Sequence, residues 1–165
     1  MSKRIPRILL TLVVVAAIVL LALNLAGGAI PYPINHTMEA IAFTPDGALV
    51  GCGQLQANGQ GRWFIAHSED FLGTLTMTID GQEPWQRHVQ MVLGEGWLPM
   101  LTADAAGATH SYDEGIWAHS NRLVNKVLLT FPQENGLLLV YAPAKPDTDP
   151  KTLLAAFEAP LLVER

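Results

Sequence analysis

Between positions 110 and 119 the sequence gathers His110, Tyr112, Asp113, Glu114, Trp117 and His119. Imidazoles and carboxylates are the groups that hold divalent metals or move protons, and indole rings stack on ligands or dock partners. Their spacing matches no closed metal-site pattern, so a metal-binding or enzymatic site on residues 103–122 is the second of two alternatives to the main reading given below. Trp85 follows Pro84 in a turn, where an aromatic ring can line a ligand mouth. Trp85, His110, Tyr112, Trp117 and His119 are therefore the candidate ligand- or partner-binding residues. His88 and Met91 resemble a soft-metal pair, but three positions apart on a strand they point to opposite faces.

The remaining chemistry is weaker. Cys52 is the sole cysteine, which leaves no intramolecular disulfide, and it has no neighbouring base or helix N-terminus to lower its pKa. Leu49-Val50-Gly51-Cys52 spells a lipidation signal. A lipidated cysteine must directly follow an apolar segment, however, and Pro31, Pro33, Glu39 and Asp46 precede this one. Cys52 is expected to be a buried core thiol. The carboxylate pairs Glu69-Asp70 and Asp113-Glu114 have no desolvating pocket in prospect. The glycines of "GCG" and "ANGQG" lack the helix and lysine of a phosphate loop. No catalytic residue and no cofactor is assigned.

Two kinds of element must position these groups. Residues 8–30 carry no charge over 23 positions, and Lys3, Arg4 and Arg7 precede them. At about 1.5 Å per residue such a run covers the hydrocarbon core of a bilayer, and the basic flank keeps the N-terminus in the cytoplasm. The expected order is a cytoplasmic basic stub at 1–7, a transmembrane anchor or signal peptide at 8–30, a linker at 31–37 and an exported β-rich domain at 38–165. That arrangement places the domain in the periplasm of a bacterial inner-membrane protein. Removing Lys3, Arg4 and Arg7 from the ten basic residues leaves seven against fifteen acidic ones, a net charge of −8 on the exported part. A domain so acidic is a poor nucleic-acid binder.

After residue 37 the sequence changes to short apolar stretches punctuated by turn signals. Thr44-Pro45-Asp46-Gly47 predicts a hairpin, and Asn58-Gly59 and Asn135-Gly136 predict two more. "TLTMTID" alternates, with Leu75, Met77 and Ile79 on one face and Thr74, Thr76 and Thr78 toward water. Val89, Met91 and Leu93 repeat the pattern. "WLPMLT" makes a short edge strand because Pro99 cannot donate to a ladder. Residues 103–122 have no sustained period and are expected to be irregular, with a helical turn near 114–121. Residues 137–141 are apolar on both faces, so that strand should be covered twice. Asp149 as N-cap, Pro150 in the first turn and the stripe Leu153, Leu154 and Phe157 predict a closing helix.

The fold class expected is mostly β: an antiparallel meander of about eight strands, a small barrel or a sandwich, with a C-terminal helix and one N-terminal transmembrane helix before it. The function expected is that of a non-enzymatic, membrane-anchored periplasmic binding or accessory protein of a membrane or envelope complex. Its partners would be the inner membrane and a membrane-protein complex. The first alternative is a lipocalin-like barrel holding a small apolar ligand.

Overall fold

The computed structural model describes residues 7–25, 29–64, 68–103, 109–134, 136–145 and 147–157. A helix, α1 (Arg7–Leu25), precedes eight strands: β1 (Ile30–Phe43), β2 (Leu49–Trp63), β3 (Asp70–Ile79), β4 (Trp85–Val92), β5 (Gly94–Ala103), β6 (Thr109–Ser120), β7 (Val127–Gln133) and β8 (Gly136–Ala142). A second helix, α2 (Pro150–Phe157), follows them. Each strand pairs antiparallel with the next, and β1 pairs with β8 through Ile41–Tyr141, Ala42–Val140 and Phe43–Leu139. The meander is therefore a closed barrel and not a sandwich. Closure leaves no open edge along this seam for another chain to extend.

The alternation read from the sequence sets the inside and outside of the wall. In β3, Phe71, Leu75, Met77 and Ile79 are buried while Thr78 faces water. Val89 and Met91 point inward from β4, and His88 points outward, where its Nδ1 lies 3.2 Å from the Thr74 hydroxyl. His88 and Met91 thus occupy opposite faces, as strand geometry requires.

Three local readings change. Residues 31–37, expected as a linker, are the first half of β1 and pair residue by residue with β2, Pro31 opposite Arg62 and Thr37 opposite Gln56. Prolines are tolerated there because β8 reaches only Ile41, so this part of β1 is a strand with one strand neighbour. Asn58-Gly59 makes no turn and lies inside β2. A Cβ on Gly59 would run into the Leu72 carbonyl and Gly73, and one on Gly73 into Asn58 and the Phe71 ring. These glycines let the β2 and β3 backbones approach each other closely. The segment expected to be irregular, with a helical turn, contains the whole of β6. Its register against β5 shifts three times, between Gly94 and Leu98, Pro99 and Leu101, and Thr102 and Ala103. Those irregularities erase the period of two that would have marked it as a strand.

Two apolar clusters result. Inside the barrel, Ile34, Leu55, Phe71, Leu75, Val89, Met91, Met100, Leu129 and Val140 interlock. Outside it, Ile41, Phe43, Leu128, Leu139 and Tyr141 form a second layer, against which Trp97, Leu153 and Leu154 pack. β8 is therefore covered twice, as its sequence implies. α2 begins as expected: the Asp149 carboxylate accepts the backbone N–H groups of Lys151 at 3.1 Å and Thr152 at 3.3 Å. Hydrogen bonding from the Thr152 hydroxyl, with the Lys151 and Thr152 amides, holds the Asp149 carboxyl below the ordinary carboxylate range. Burial beneath this outer layer pushes the Tyr141 phenol up.

α1 is 19 residues long, or about 28 Å, just under the roughly 30 Å of a hydrocarbon core. Among the described residues no helix is long and apolar enough to cross a membrane. The uncharged run of the sequence extends further, to Ile30.

Candidate functional site

The barrel has two ends with different chemistry. At one end β1 begins and β2, β4 and β6 finish; the turns joining β1 to β2, β3 to β4 and β7 to β8 make the other. We call these the near end and the far end, by their distance along the chain from α1.

The near end is held by side chains that bridge distant segments. Tyr32 stands opposite Gly61 in the β1–β2 ladder, and its ring fills the space a Cβ at Gly61 would need. The Tyr32 hydroxyl donates to the Arg122 carbonyl at 2.9 Å, and the His36 Nε2 lies 3.0 Å from the Leu123 carbonyl. The β6–β7 connection thereby lies alongside the part of β1 that β8 does not reach. Within that connection the Asn121 side chain accepts the backbone N–H groups of Asn125 and Lys126, and Val124 is wholly buried with a φ of 52°. A β-branched residue in that region is strained, so the surrounding contacts must hold it there. Arg122 also reaches Glu69 at 3.8 Å. Burial, then the neighbouring Glu69 carboxylate, raise the Tyr32 pKa.

On the outer wall beside this end, Asp70 is only 6% exposed and accepts from Arg62 Nε at 2.7 Å, Arg62 Nη2 at 2.5 Å and Gln90 Nε2 at 2.6 Å. The Asp70 carboxylate raises the Arg62 pKa further. A carboxylate with three charge-assisted or amide donors is committed to structure and is poorly placed to abstract a proton. Asp70, read from the sequence as half of a solvated carboxylate pair with Glu69, is instead buried among its donors, and Tyr32 did not stand out in the sequence. The signal that could have found Tyr32 is a glycine lying cross-strand from an aromatic, which is invisible until the register is known.

The five candidate residues do not converge. Trp85 is partly buried against the barrel interior near the far end and meets Phe131 edge to face, with ring centroids 5.3 Å apart. Since β4 and β7 are not neighbours, this pair spans the barrel and helps to close it, an interaction worth about 0.5–1.5 kcal/mol beyond burial. Trp117 and His119 share the outer face of β6. Trp117 is 41% exposed, whereas His119 is partly buried with its ring 5.9 Å from that of Trp97. The β6 backbone carries His110 and Tyr112, with Tyr112 opposite Leu101. The side chains of His110, Tyr112, Asp113 and Glu114 lie outside the described residues. Among the described residues no three His, Cys, Asp or Glu are grouped to hold a metal.

Cys52 is exposed and not in the core. It shares its face of β2 with Gln54, Asn58 and Gln60, all exposed, while Leu55 and Ala57 of the other face are fully buried. The period of two puts the thiol among the amides, which is the physical reason for the correction.

Among the described residues, part of the interior is closely packed. Leu55, Phe71, Leu75, Val89, Met100, Val127 and Leu129 show no exposed surface at all, so no water-sized void borders them. No family model, curated protein or solved structure matches the chain. The fold and these contacts define a class, an eight-stranded up-and-down barrel with an apolar helix leading into its first strand.

Proposed function

We propose that this is a membrane-anchored, non-enzymatic accessory or binding protein of an envelope complex, with α1 as its anchor and the barrel as its exported domain. One observation carries the reading. Every described side chain of α1 from residue 9 to residue 22 is exposed, and its leucines, valines and isoleucine are 43–61% exposed. A helix that is apolar on all sides needs an apolar environment on all sides. Water does not provide one, and lipid does. The small shortfall of α1 against the hydrocarbon thickness is met by local thinning or by the uncharged residues that follow it.

The close packing of the described interior side chains, Leu55, Phe71, Leu75, Val89 and Leu129 among them, favours this reading over a lipocalin-like ligand barrel, which needs an empty apolar cavity. The test is membrane fractionation followed by gentle solubilisation of the full-length protein. Retention in alkaline-washed membranes and elution as a complex larger than one chain in a micelle are expected. Recovery in the soluble fraction would remove the anchor, and a strictly monomeric solubilised species would remove the accessory role.

A further inference from the structure

We propose that the near end of the barrel rests directly on the lipid headgroup surface, so that the barrel stands end-on to the membrane with its far end outward. The inference rests on α1 being an anchor and adds what the barrel itself does there. Only residues 26–29 separate Leu25 from Ile30. Five Cα steps reach at most about 18 Å, whatever path they take. The headgroup layer adds roughly 5–8 Å beyond the hydrocarbon core, so the start of β1 is held at that layer or just above it.

The side chains at this end suit a lipid interface. Trp63 closes the β1–β2 ladder opposite Ile30 and is 39% exposed. Leu123, whose carbonyl meets His36 of β1, is 55% exposed, and Val92 at the end of β4 is 37% exposed. Trp beside Leu and Arg is the composition that anchors proteins at the headgroup level. Exposed apolar side chains also stand at the far end, Leu49 at 59% and Val50 at 40%, so the short connection to α1 and the acidic far end are what orient the barrel.

Charge orients the barrel in the same sense. The near end carries Arg62, Arg122 and Lys126 against Glu69, Asp70 and Glu95, equal numbers of each sign, and the Glu69 and Asp70 carboxylates face Arg122 and Arg62. The described far-end turns carry Asp46, Asp80, Glu83 and Glu134, with Arg87 and Lys151 the basic residues nearby. A surface with anionic lipids therefore repels the far end and not the near one, which an acidic domain of uniform charge would not achieve.

The single cysteine makes the test direct. Cys52, exposed near the far end of β2, takes a fluorophore in the native full-length chain. A second variant, Cys52→Ser with Leu123→Cys, takes the same fluorophore at the near end. Both are reconstituted into vesicles of phosphatidylcholine and phosphatidylglycerol. Quenching is then read with aqueous acrylamide and with a headgroup spin-labelled lipid. The expected result is a severalfold loss of acrylamide quenching and a matching gain of lipid quenching at position 123, relative to position 52. Equal acrylamide quenching at both positions, in chains that float with the vesicles, overturns end-on docking and leaves the anchor standing. Protection of both positions overturns it too, because the barrel would then lie on its side. Failure to float removes the anchor and this proposal together. A further variant, Trp63→Glu with Leu123→Glu, is expected to float through α1 yet lose, in Trp emission, the blue shift that vesicles induce in the native chain.

Discussion

Two walls of the same barrel are built by the same antiparallel pairing and end in different environments. In β2, β3 and β4 the inner face is apolar, whereas the outer face is a field of amides and hydroxyls, Gln54 opposite Thr78 and Gln56 opposite Thr76. In β7, β8 and the end of β1 both faces are apolar, and α2 with Trp97 covers the outer one. The first wall needs one layer of packing and is finished by water. The second has to be finished by protein, and so depends on a helix that the barrel itself does not contain. Barrel closure falls within this doubly covered wall, where β1 meets β8 over three residue pairs. The outer layer reinforces this short ladder.

Stability of the full-length protein in detergent, measured by chemical denaturation, probes this difference. The largest contrast is between equivalent outer positions. Leu128→Ala on the outer face of β7 should cost about 2–5 kcal/mol, as Leu75→Ala does inside β3. Thr78→Val on the outer face of β3 should stay within about 0.5 kcal/mol. Equal small effects at Leu128 and Thr78 would mean that the second layer contributes nothing. Next comes the close approach of β2 and β3 in the first wall. Gly73→Ala forces a methyl into the Asn58 carbonyl and the Phe71 ring, an overpacking expected to cost about 1–3 kcal/mol. Smaller again is Asp70→Asn, which weakens the bonds to Arg62 and leaves a neutral acceptor for Gln90, for about 1–2 kcal/mol.

The smallest effect concerns the helix that finishes the second wall. The Asp149 pKa is depressed by its bonds at the α2 N-terminus. Its contribution is therefore complete above the ordinary carboxylate pKa near 4 and is lost as pH falls through the lower folded value. Protection factors of the α2 amides, corrected for the intrinsic pH dependence of exchange, should fall on acidification through that range while those of the β3 amides hold. Asp149→Ala should abolish the pH dependence of α2 and leave its faster exchange at neutral pH. A flat α2 profile in the native protein would show that the cap does not hold the covering helix.

The polar wall was legible residue by residue, because a period of two needs only the local backbone. The same period placed Cys52 with Gln54 and Asn58, and the error lay in weighing the thiol's apolar character above the company it keeps. The doubly apolar strand, the α2 cap and the Pro-Asp-Gly hairpin were legible for the same reason. Residues 31–37, Asn58-Gly59 and β6 were not. Their local signals, proline, a turn dipeptide and a broken period, were outweighed by cross-strand pairing along β1, β2 and β6.

The candidate site divides along the same line. Trp85 and His119 were chosen as chemically capable groups, and their side chains pack against Phe131 and Trp97. The near end was hidden because its members are far apart in the chain; Tyr32 and Arg122 are separated by 90 positions. The sequence alone determined the apolar run at the N-terminus, the meander of strands and the inside and outside of most of them, all consequences of composition and short-range periodicity. Tertiary structure alone decided barrel over sandwich, the joining of β1 to β8 and the gathering of Trp63, Arg122 and Leu123 at the end that follows α1. Those depend on which distant residues become neighbours, and a closed sheet settles that only when its last strand finds its first.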